Sequence, residues 1–197
     1  MNRSWIVILG VVGIIILLVY SLFIGPYNSI VNQSQTASQM WSNVETQYQR
    51  RTDLYSTVIA TIKGSEKFEQ QTLTAVIDAR SKATSITVDA SKLTPESIQK
   101  FEQAQDAFKS SFGRLMAVAE QYPQLQTTAA FRDFQTQQEG TENRITKAQQ
   151  DFNDAVKKYN TYILSFPGNL IASRYGYTEK GYFKADAGSE KVPNVSF

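Results

Sequence analysis

The pattern of hydrophobic and polar positions sets the first part of the chain apart from the rest. Trp5–Ile24 is a run of twenty residues without a charge, rich in Ile, Val and Leu. A bilayer core is about 30 Å thick, and roughly 20 apolar helical residues span it. Trp5 and Tyr20 stand near the two ends of the run, where amphipathic aromatic side chains prefer the membrane interface. The pattern predicts a transmembrane anchor over residues 1–25.

Two other interpretations fit this run less well. A cleaved signal peptide has an apolar core of about 7–15 residues and ends at a small-residue cleavage site. The present run is longer, and Gly25 is a poor cleavage site because Pro26 follows it and Phe23 stands two positions before it. A buried helix of a soluble protein is rarely so long and so uniformly apolar. We therefore expect an uncleaved anchor.

A heptad pattern follows the anchor. Its first segment carries two series of positions seven residues apart, offset by three: Tyr27, Ser34, Trp41, Tyr48, Tyr55 and Ile62, and Ile30, Ala37, Val44, Arg51 and Val58. The pattern predicts one helix from Tyr27 to Ile62 that stops at Gly64. Pro26 fits the start of this helix, or a kink between it and the anchor.

Two shorter segments come next. The second, Ser65–Thr87, places mostly small or apolar residues on one face: Phe68, Thr72, Ala75, Ala79, Ala83 and Ile86. Leu73 and Val76 widen that face. The third, Pro95–Tyr122, follows Thr94, which is predicted to be an N-cap in front of a first-turn proline. It carries two heptad series of seam positions: Phe101, Phe108, Leu115 and Tyr122, and Ile98, Gln105, Phe112 and Ala119.

The fourth segment runs from Thr127 or Thr128 to Phe166 and keeps the same heptad period. Its two series of seam positions are Phe131, Gln138, Ile145, Phe152, Tyr159 and Phe166, and Phe134, Thr141, Ala148, Ala155 and Tyr162. Four segments of one period, joined by short polar breaks, predict an all-α fold. We expect an N-terminal transmembrane helix followed by an up-and-down antiparallel four-helix bundle over residues 26–166. The first and fourth helices are the longest, so their extra length would form a stalk at the membrane end.

The composition changes after Phe166-Pro167, and residues 167–197 are expected to form an irregular tail. A short helix over Asn169–Tyr175 fits its start. The candidate contacts with a membrane surface or a partner are Leu170, Ile171, Arg174, Tyr175, Tyr177, Lys180 and Lys184. Aromatic and basic residues in this mixture suit anionic lipid headgroups. The alternative is that the tail packs back on the bundle, and the sequence leaves both open.

Composition excludes several kinds of chemistry. The chain has no Cys and no His, so it has no disulfide framework, no zinc site of the usual kinds and no Cys–His catalytic pair. A di-iron bundle needs Glu-x-x-His pairs. The net charge of +2 has both signs interspersed, which does not mark a nucleic-acid surface. We expect no catalytic residues, no metal and no cofactor, and hence no enzyme.

One polar cluster stands out in the heptad pattern: Arg50, Arg51, Asp53, Glu142, Asn143 and Arg144. Arg51 occupies a seam position of the first helix, and Glu142 flanks the seam of the fourth. If the two helices are antiparallel, these residues meet inside the bundle. The structural interpretation is a buried charge network that fixes helix register. The functional interpretation is a pocket for a small ligand.

Short motifs along the whole chain resemble the LemA family. The residues that carry the resemblance, in chain order, are Tyr27-Asn28-Ser29-Ile30-Val31, Trp41-Ser42-Asn43-Val44-Glu45, Gln49-Arg50-Arg51-Thr52-Asp53-Leu54, Thr61-Ile62-Lys63-Gly64, Ala79-Arg80, Tyr122-Pro123-Gln124-Leu125, Glu142-Asn143-Arg144-Ile145, Tyr159-Asn160, Phe166-Pro167-Gly168-Asn169 and Tyr182-Phe183. Two departures are Tyr55-Ser56-Thr57-Val58, where the family usually has Ile-Pro-Asn-Leu, and Ser65-Glu66-Lys67-Phe68-Glu69, which lacks the family's common histidine.

The resemblance implies a bacterial, membrane-anchored, LemA-like four-helix bundle without an established activity. A magnetosome-forming relative, and the frequent proximity of family genes to membrane protease genes, imply membrane organisation or proteostasis by association. Arg3 precedes the anchor and no charge follows it until Glu45, so the positive-inside rule predicts a single-pass protein of the inner membrane with its bulk in the periplasm.

Two classes of function remain. The first is a non-enzymatic scaffold or interaction protein that binds membrane lipid, copies of itself and membrane proteins such as a protease. The second is a small-ligand sensor, or a regulator of membrane proteostasis, with a pocket between its helices.

Overall fold

The computed structural model of the chain describes residues 3–65 and 68–184, and every regular element in these ranges is a helix. The helices are α1 (Arg3–Val19), α2 (Gly25–Lys63), α3 (Gln70–Ser85), α4 (Pro95–Ala119), α5 (Pro123–Gln126), α6 (Ala129–Leu164) and α7 (Gly168–Tyr175). A π-helical turn, Tyr20–Ile24, joins α1 to α2. The end of the predicted tail, residues 185–197, lies outside the described residues.

The anchor and the first long helix are continuous. Pro26 has no N–H and its ring clashes with the carbonyl four residues earlier, which would break a regular α-helix. The wider π turn accommodates it, and the Gly25 N–H donates to the Tyr20 carbonyl five residues back. The apolar part of this helix is long and apolar enough to cross a membrane, and none of its most apolar stretch is buried.

The longer helices pack in two pairs, of which α2 and α6 are antiparallel. The first pair is α2 and α6, since Tyr48 of α2 meets Gln149 of α6, and Tyr55, further along α2, meets Phe134, further back on α6. The second pair is α3 and α4, which pack along each other. The Thr94 side chain accepts from the Ser97 N–H at 3.3 Å and caps α4 as predicted.

Three hydrophobic clusters fill the interior. The far core lies towards the Lys63 end of α2 and contains Tyr55, Val58, Ile62, Val76, Phe108, Phe112, Leu115, Phe131 and Phe134 among others. The near core lies around the middle of α2 and contains Trp41, Val44, Tyr48, Val88, Leu93, Ile98, Phe101, Phe152 and Phe183 among others. A smaller end cluster contains Ile30, Tyr159, Ile163, Ile171 and Ala172.

The buried stripe of α6 departs from a strict heptad near its end. Phe166, the last predicted seam position, lies beyond the end of α6 at Leu164 and is 70% exposed. Within α6 the series Phe134, Thr141, Ala148 and Ala155 leads to Tyr162, but Tyr162 is half-buried and Ile163 is buried instead. A straight helix has about 3.6 residues per turn, so its buried stripe moves about one residue ahead of a seven-residue repeat after four or five repeats. The buried Phe134 and Ile163 are about eight turns apart by this spacing.

The second predicted helix is shorter than expected, and only part of its predicted face is buried. Its buried residues are Leu73, Val76 and Ala83, whereas Ala75 is exposed. The larger side chains therefore define the core face, and the series of small residues lies partly on the surface.

Candidate functional site

A buried arginine lies where the two cores meet. Arg51, in the middle of α2, is 2% exposed. Its Nη2 donates to the Gln105 side-chain oxygen at 2.9 Å and to the Gln105 carbonyl at 3.3 Å. The Gln105 amide nitrogen then donates to the Ala83 carbonyl at 3.3 Å. Ala83 stands in the last turn of α3, where helix carbonyls lack intrahelical partners. This chain of bonds connects α2, α4 and the end of α3.

Helix α6 joins this chain of bonds through the carboxylate of Glu142. Glu142 Oε1 of α6 lies 3.8 Å from Arg51 Nη1, and its Oε2 lies 3.0 Å from Lys109 Nζ of α4. The Glu142 side chain is 27% exposed and the Lys109 side chain is 52% exposed. The arrangement therefore runs from a buried arginine to a solvent-exposed lysine. We call Arg51, Gln105, Glu142 and Lys109 the arginine layer.

Two tyrosines flank the arginine along α2. The Arg51 guanidinium carbon lies 4.6 Å from the ring centroid of Tyr48 and 5.9 Å from that of Tyr55, distances at which a cation is attracted to an aromatic face. Burial raises the pKa of Tyr55 to about 12, and the positive charge of Arg51 opposes that rise. Burial likewise raises the pKa of Tyr48. Both phenols are therefore neutral hydrogen-bonding groups at ordinary pH.

The side chains of the arginine layer are suited to connecting helices by hydrogen bonds and ion pairs. An arginine guanidinium offers donors only and no acceptor, so it is not a general base. Within residues 3–65 and 68–184, no group of three or more His, Cys, Asp or Glu side chains could hold a metal ion. The donors and acceptors that face one another belong to four different helices. Each bond therefore fixes the height of one helix relative to another.

The other members of the predicted polar cluster lie apart from this layer. Arg50 and Asp53 are exposed on α2, and Asp53 accepts from the Gln49 side chain at 2.8 Å. Asn143 is exposed, and Arg144 donates to the Thr141 hydroxyl within α6. The predicted cluster thus brings together only Arg51 and Glu142.

Sequence reasoning missed Gln105 and Lys109 as partners in the layer. Gln105 occupies a seam position of the third predicted helix, where a polar side chain indicates a polar partner across the seam. Lys109 follows Gln105 by one helical turn and so lies on the same side of α4. Two polar seam residues on different helices, Arg51 and Gln105, were the available indication.

The tail beyond α7 packs against the helical body, α2–α6, through its main chain. Asn160 of α6 accepts from the Lys180 N–H and donates to the Lys180 carbonyl, both at 2.9 Å. Asn153 holds the N–H and carbonyl of Phe183 in the same way, at 2.9 and 3.0 Å. Seven helical residues and three extended residues each span about 10 Å. The two asparagines therefore match the spacing of the two tail residues.

Side chains complete this attachment. The Phe183 ring stacks on Trp41 with a centroid distance of 5.9 Å and an interplanar angle of 12°. The Gly181 N–H donates to the Leu93 carbonyl at 2.8 Å, and a Cβ at Gly181 would lie 2.6 Å from the Pro95 Cα. Glycine is therefore required where the tail crosses the start of α4.

Lys180 differs from the expectation that it contacts lipid or a partner. Its side chain is only 3% exposed, its Nζ donates to the Ser91 carbonyl at 3.1 Å, and it lies 5.0 Å from the Tyr159 ring centroid. Burial lowers the pKa of Lys180. Ile171 is also buried, in the end cluster, so neither residue is available at a surface. Asn160 pairs with the main chain of Lys180 and the Ser91 carbonyl accepts from its Nζ. The buried polar groups of Lys180 therefore have the hydrogen-bond partners that burial requires.

The remaining tail candidates keep accessible surface. Leu170, Arg174, Tyr175 and Lys184 are exposed, and Tyr177 is half-buried. The Tyr175 ring lies 5.3 Å from that of Tyr27, at the start of α2. These residues therefore divide between the end of the molecule next to the apolar helix and the side of the helical body.

Comparison with known proteins finds one matching family model and several similar proteins. A sequence model of the LemA family matches residues 40–197. Magnetosome protein MamQ 2 of Paramagnetospirillum magneticum is 28% identical over 179 residues, covering 80% of this chain and 64% of that protein. Magnetosome protein MamQ of Magnetospirillum gryphiswaldense is 25% identical, with the same coverage of 80% and 64%. This chain thus matches less than two thirds of the length of these MamQ proteins.

Protein LemA of Metamycoplasma hominis is 24% identical over 166 residues, which cover 84% of this chain and 72% of that protein. The region matched by the family model contains the arginine layer, the asparagines that hold the tail and the tail itself. Because that match covers well over half of the sequence, the chain belongs to the LemA family.

Proposed function

We propose that the protein is a non-enzymatic, membrane-anchored helical scaffold that presents a rigid surface to partners at the bacterial inner membrane. The observation that carries the proposal is the continuous helix from α1 through the π turn into α2. Residues 1–25 would be the anchor, residues 26–166 an up-and-down four-helix bundle, and residues 167–197 a tail. A helix shared by anchor and bundle holds the bundle at a fixed height above the bilayer.

The arginine layer supports a scaffold rather than a reactive site. Arg51 donates both of its hydrogen bonds to Gln105, and the Glu142 carboxylate lies between two cations. A buried polar network of this kind specifies helix register, as polar seam residues do in coiled coils. Fixed register is what a presenting surface needs, since its side chains must stay in place when a partner binds.

The outer face of α2 is suited to self-association. Asn28, Asn32, Gln35, Gln39 and Asn43 are exposed at helical spacing, and no charged residue lies between Asn28 and Asn43. No like-charge repulsion therefore opposes the approach of a second α2. Amide side chains can hydrogen-bond to their counterparts across such a contact.

Cysteine crosslinking tests self-association. The chain has no cysteine, so Gln39→Cys and Gln135→Cys, each exposed, can be compared in native membranes. We expect an oxidation-dependent dimer from Gln39→Cys and not from Gln135→Cys, which serves as the matched control on α6. Equal yields from both variants, or none from either, would overturn the self-association.

Protein partners and membrane orientation need separate measurements. A crosslinking pull-down from native membranes should recover discrete proteins. Protease added to spheroplasts should digest the helical body if it faces the periplasm. Protection until lysis would reverse the orientation, and carbonate extraction that released the chain would contradict the anchor.

One observation favours the alternative function, a small-ligand sensor. A groove of about 750 Å³ lies between α2 and α6, lined by Gln33, Asp154, Lys157, Lys158, Thr161, Tyr162 and Ser165. Its size falls in the range of ligand sites, and its lysines suit an anionic molecule. Native mass spectrometry of the purified full chain distinguishes the two functions: a co-purifying small molecule that is lost on Lys157→Ala supports the sensor.

A further inference from the structure

The large exposed hydrophobic residues outside the apolar anchor are concentrated at one end of the described structure. Five of them are Tyr27, Leu164, Phe166, Leu170 and Tyr175. Ile77 on α3 and Tyr182 in the tail lie elsewhere. The five belong to the start of α2, the end of α6, the link between α6 and α7, and α7. The end cluster holds α2, α6 and α7 together. We call Leu164, Phe166, Leu170 and Tyr175 the apolar foot.

The foot is fixed next to the emerging anchor. Ile171 and Ala172 of α7 pack with Ile30 of α2 and Ile163 of α6. Tyr27, whose ring contacts that of Tyr175, follows the last anchor residue, Ile24, by three positions, or about 4.5 Å of helix.

Two glycines define where α7 lies. A Cβ at Gly168 would stand 2.2 Å from the Tyr162 carbonyl, so glycine allows α7 to begin directly against the end of α6. Gly176 has a φ of 74° and ends α7 in the left-handed conformation, which glycine adopts without strain. The chain then returns along α6, where the Tyr159 hydroxyl donates to the Thr178 carbonyl. α7 is therefore the turning point of the C-terminal segment, at the end of the body next to the anchor.

We propose that the apolar foot is immersed in the interfacial layer of the bilayer, so that the chain contacts the membrane at two places, the anchor and α7. The surface of α7 opposite its buried Gly168, Ile171 and Ala172 carries Leu170 together with Ser173 and Arg174, all exposed. An apolar residue with a neighbouring cation suits the boundary between acyl chains and headgroups. Phe23 and Ile24, at the end of the apolar run, are exposed as well.

The bilayer accounts for this surface better than a second copy of the chain does. The foot adjoins a helix whose most apolar stretch has no buried part. Any membrane that surrounds residues as far as Ile24 brings its headgroups to Tyr27 and Tyr175. A dimer contact would instead have to exclude lipid from the edge of its own anchor.

Site-directed spin labelling of the full chain tests the proposal. Single cysteines at Phe166→Cys and Leu170→Cys, and at Ile77→Cys and Tyr182→Cys as controls, are labelled in protein reconstituted into phosphatidylcholine–phosphatidylglycerol vesicles. All four parent residues are exposed, so the substitutions leave the cores intact. We expect the two foot labels to collide several-fold more with oxygen, relative to a water-soluble nickel chelate, than the two control labels do.

Two results would overturn the proposal. Foot labels with the same relative accessibility as the Ile77 and Tyr182 labels would place the foot in water. Foot labels shielded from both oxygen and the nickel chelate, with dipolar broadening between copies, would place it in a protein interface. The inference depends on the membrane anchor but not on self-association, so its failure would leave the crosslinking test of the scaffold unaffected.

Discussion

The far core and the near core contain similar side chains but are enclosed by different segments of the chain, which we call their walls. The far core is enclosed by residues of all four long helices, α2, α3, α4 and α6. No residue of α3 belongs to the near core, because α3 ends at Ser85. The missing wall is supplied by Val88 and Leu93 of the α3–α4 connection and by Phe183 of the tail. The arginine layer lies where one arrangement replaces the other.

This difference shows how the interior is closed beside α3, which ends earlier than the helices it packs with. The near core needs a fourth wall, and an extended tail supplies it with main-chain bonds to Asn153 and Asn160. The end of α3 needs partners for its carbonyls, and Gln105 supplies one. The far core depends on helical periodicity, whereas the near core depends on two non-helical segments distant in sequence.

Removing the arginine layer should have the largest effect, because it lies at the boundary of both cores. Arg51→Ala leaves Gln105 and Glu142 without their buried partner, and breaking a buried pair costs about 3–5 kcal/mol. Thermal unfolding of the full chain in detergent measures the loss. In a double-mutant cycle with Glu142→Ala, we expect the two effects not to add. Small, additive effects would contradict coupling across the layer.

The two cores should respond differently to loss of one aromatic ring. Phe112→Ala in the far core removes a ring stacked 3.7 Å from that of Tyr55 and should cost about 3–5 kcal/mol, because the four helices cannot close the cavity. Phe183→Ala should cost less, about 1.5–3 kcal/mol, since the tail can detach instead of leaving a cavity.

Tryptophan fluorescence separates these two responses. In a Trp5→Phe background, Trp41 is the sole tryptophan, and only Phe183→Ala should shift its emission to longer wavelength before global unfolding. A shift in both variants, or in neither, would contradict a separately detachable wall.

The asparagine contacts to the tail should matter less than the rings. Asn160→Ala leaves the N–H and carbonyl of Lys180 without partners, which typically costs about 1–3 kcal/mol. Hydrogen exchange of the amides at Lys180 and Gly181 should accelerate, while exchange in α4 stays unchanged. Asn143→Ala, at an exposed position of the same helix, is the matched control and should change neither.

The smallest effect concerns alkaline pH. Burial raises the pKa of Tyr55 to about 12, whereas an unfolded tyrosine titrates near about 10. The unfolded state therefore releases this proton first, and the stability that the protonated phenol contributes is lost as pH rises from about 10 to 12. The melting temperature of Tyr55→Phe should fall less steeply over this range than that of the exposed-site variant Tyr175→Phe. Parallel curves would contradict the assignment.

The heptad pattern was sufficient to predict the helices and most of the far core. Residues such as Tyr55, Phe108 and Phe131 are buried at their predicted seam positions, because a period near 3.6 depends only on local spacing. Gly64 and Thr94 were predicted as helix boundaries because helix capping also depends only on the local sequence. The drift of the stripe to Ile163 follows from the same geometry, applied over more turns.

The near core could not be predicted in the same way. The burial of Lys180 and Phe183 depends on contacts about 20 to 140 residues away, and a lysine next to a glycine resembles a surface loop in composition. Asn153 and Asn160, seven residues apart beside the seam of α6, indicated that something polar lies along that helix. Their partner is main chain, which carries no sequence pattern.

With α1 as the proposed membrane anchor, the unbroken helix into α2 would make bilayer thickness a mechanical input. From Gly25 to Lys63, α2 contains 39 residues, an arm of about 58 Å. Transmembrane helices are tilted by about 20° on average, and a helix whose apolar length exceeds the local hydrocarbon thickness tilts to accommodate the difference. A tilt of that size would move the far end of α2 sideways by roughly 20 Å. A few ångströms of mismatch in the bilayer would thus become a large displacement of the far core.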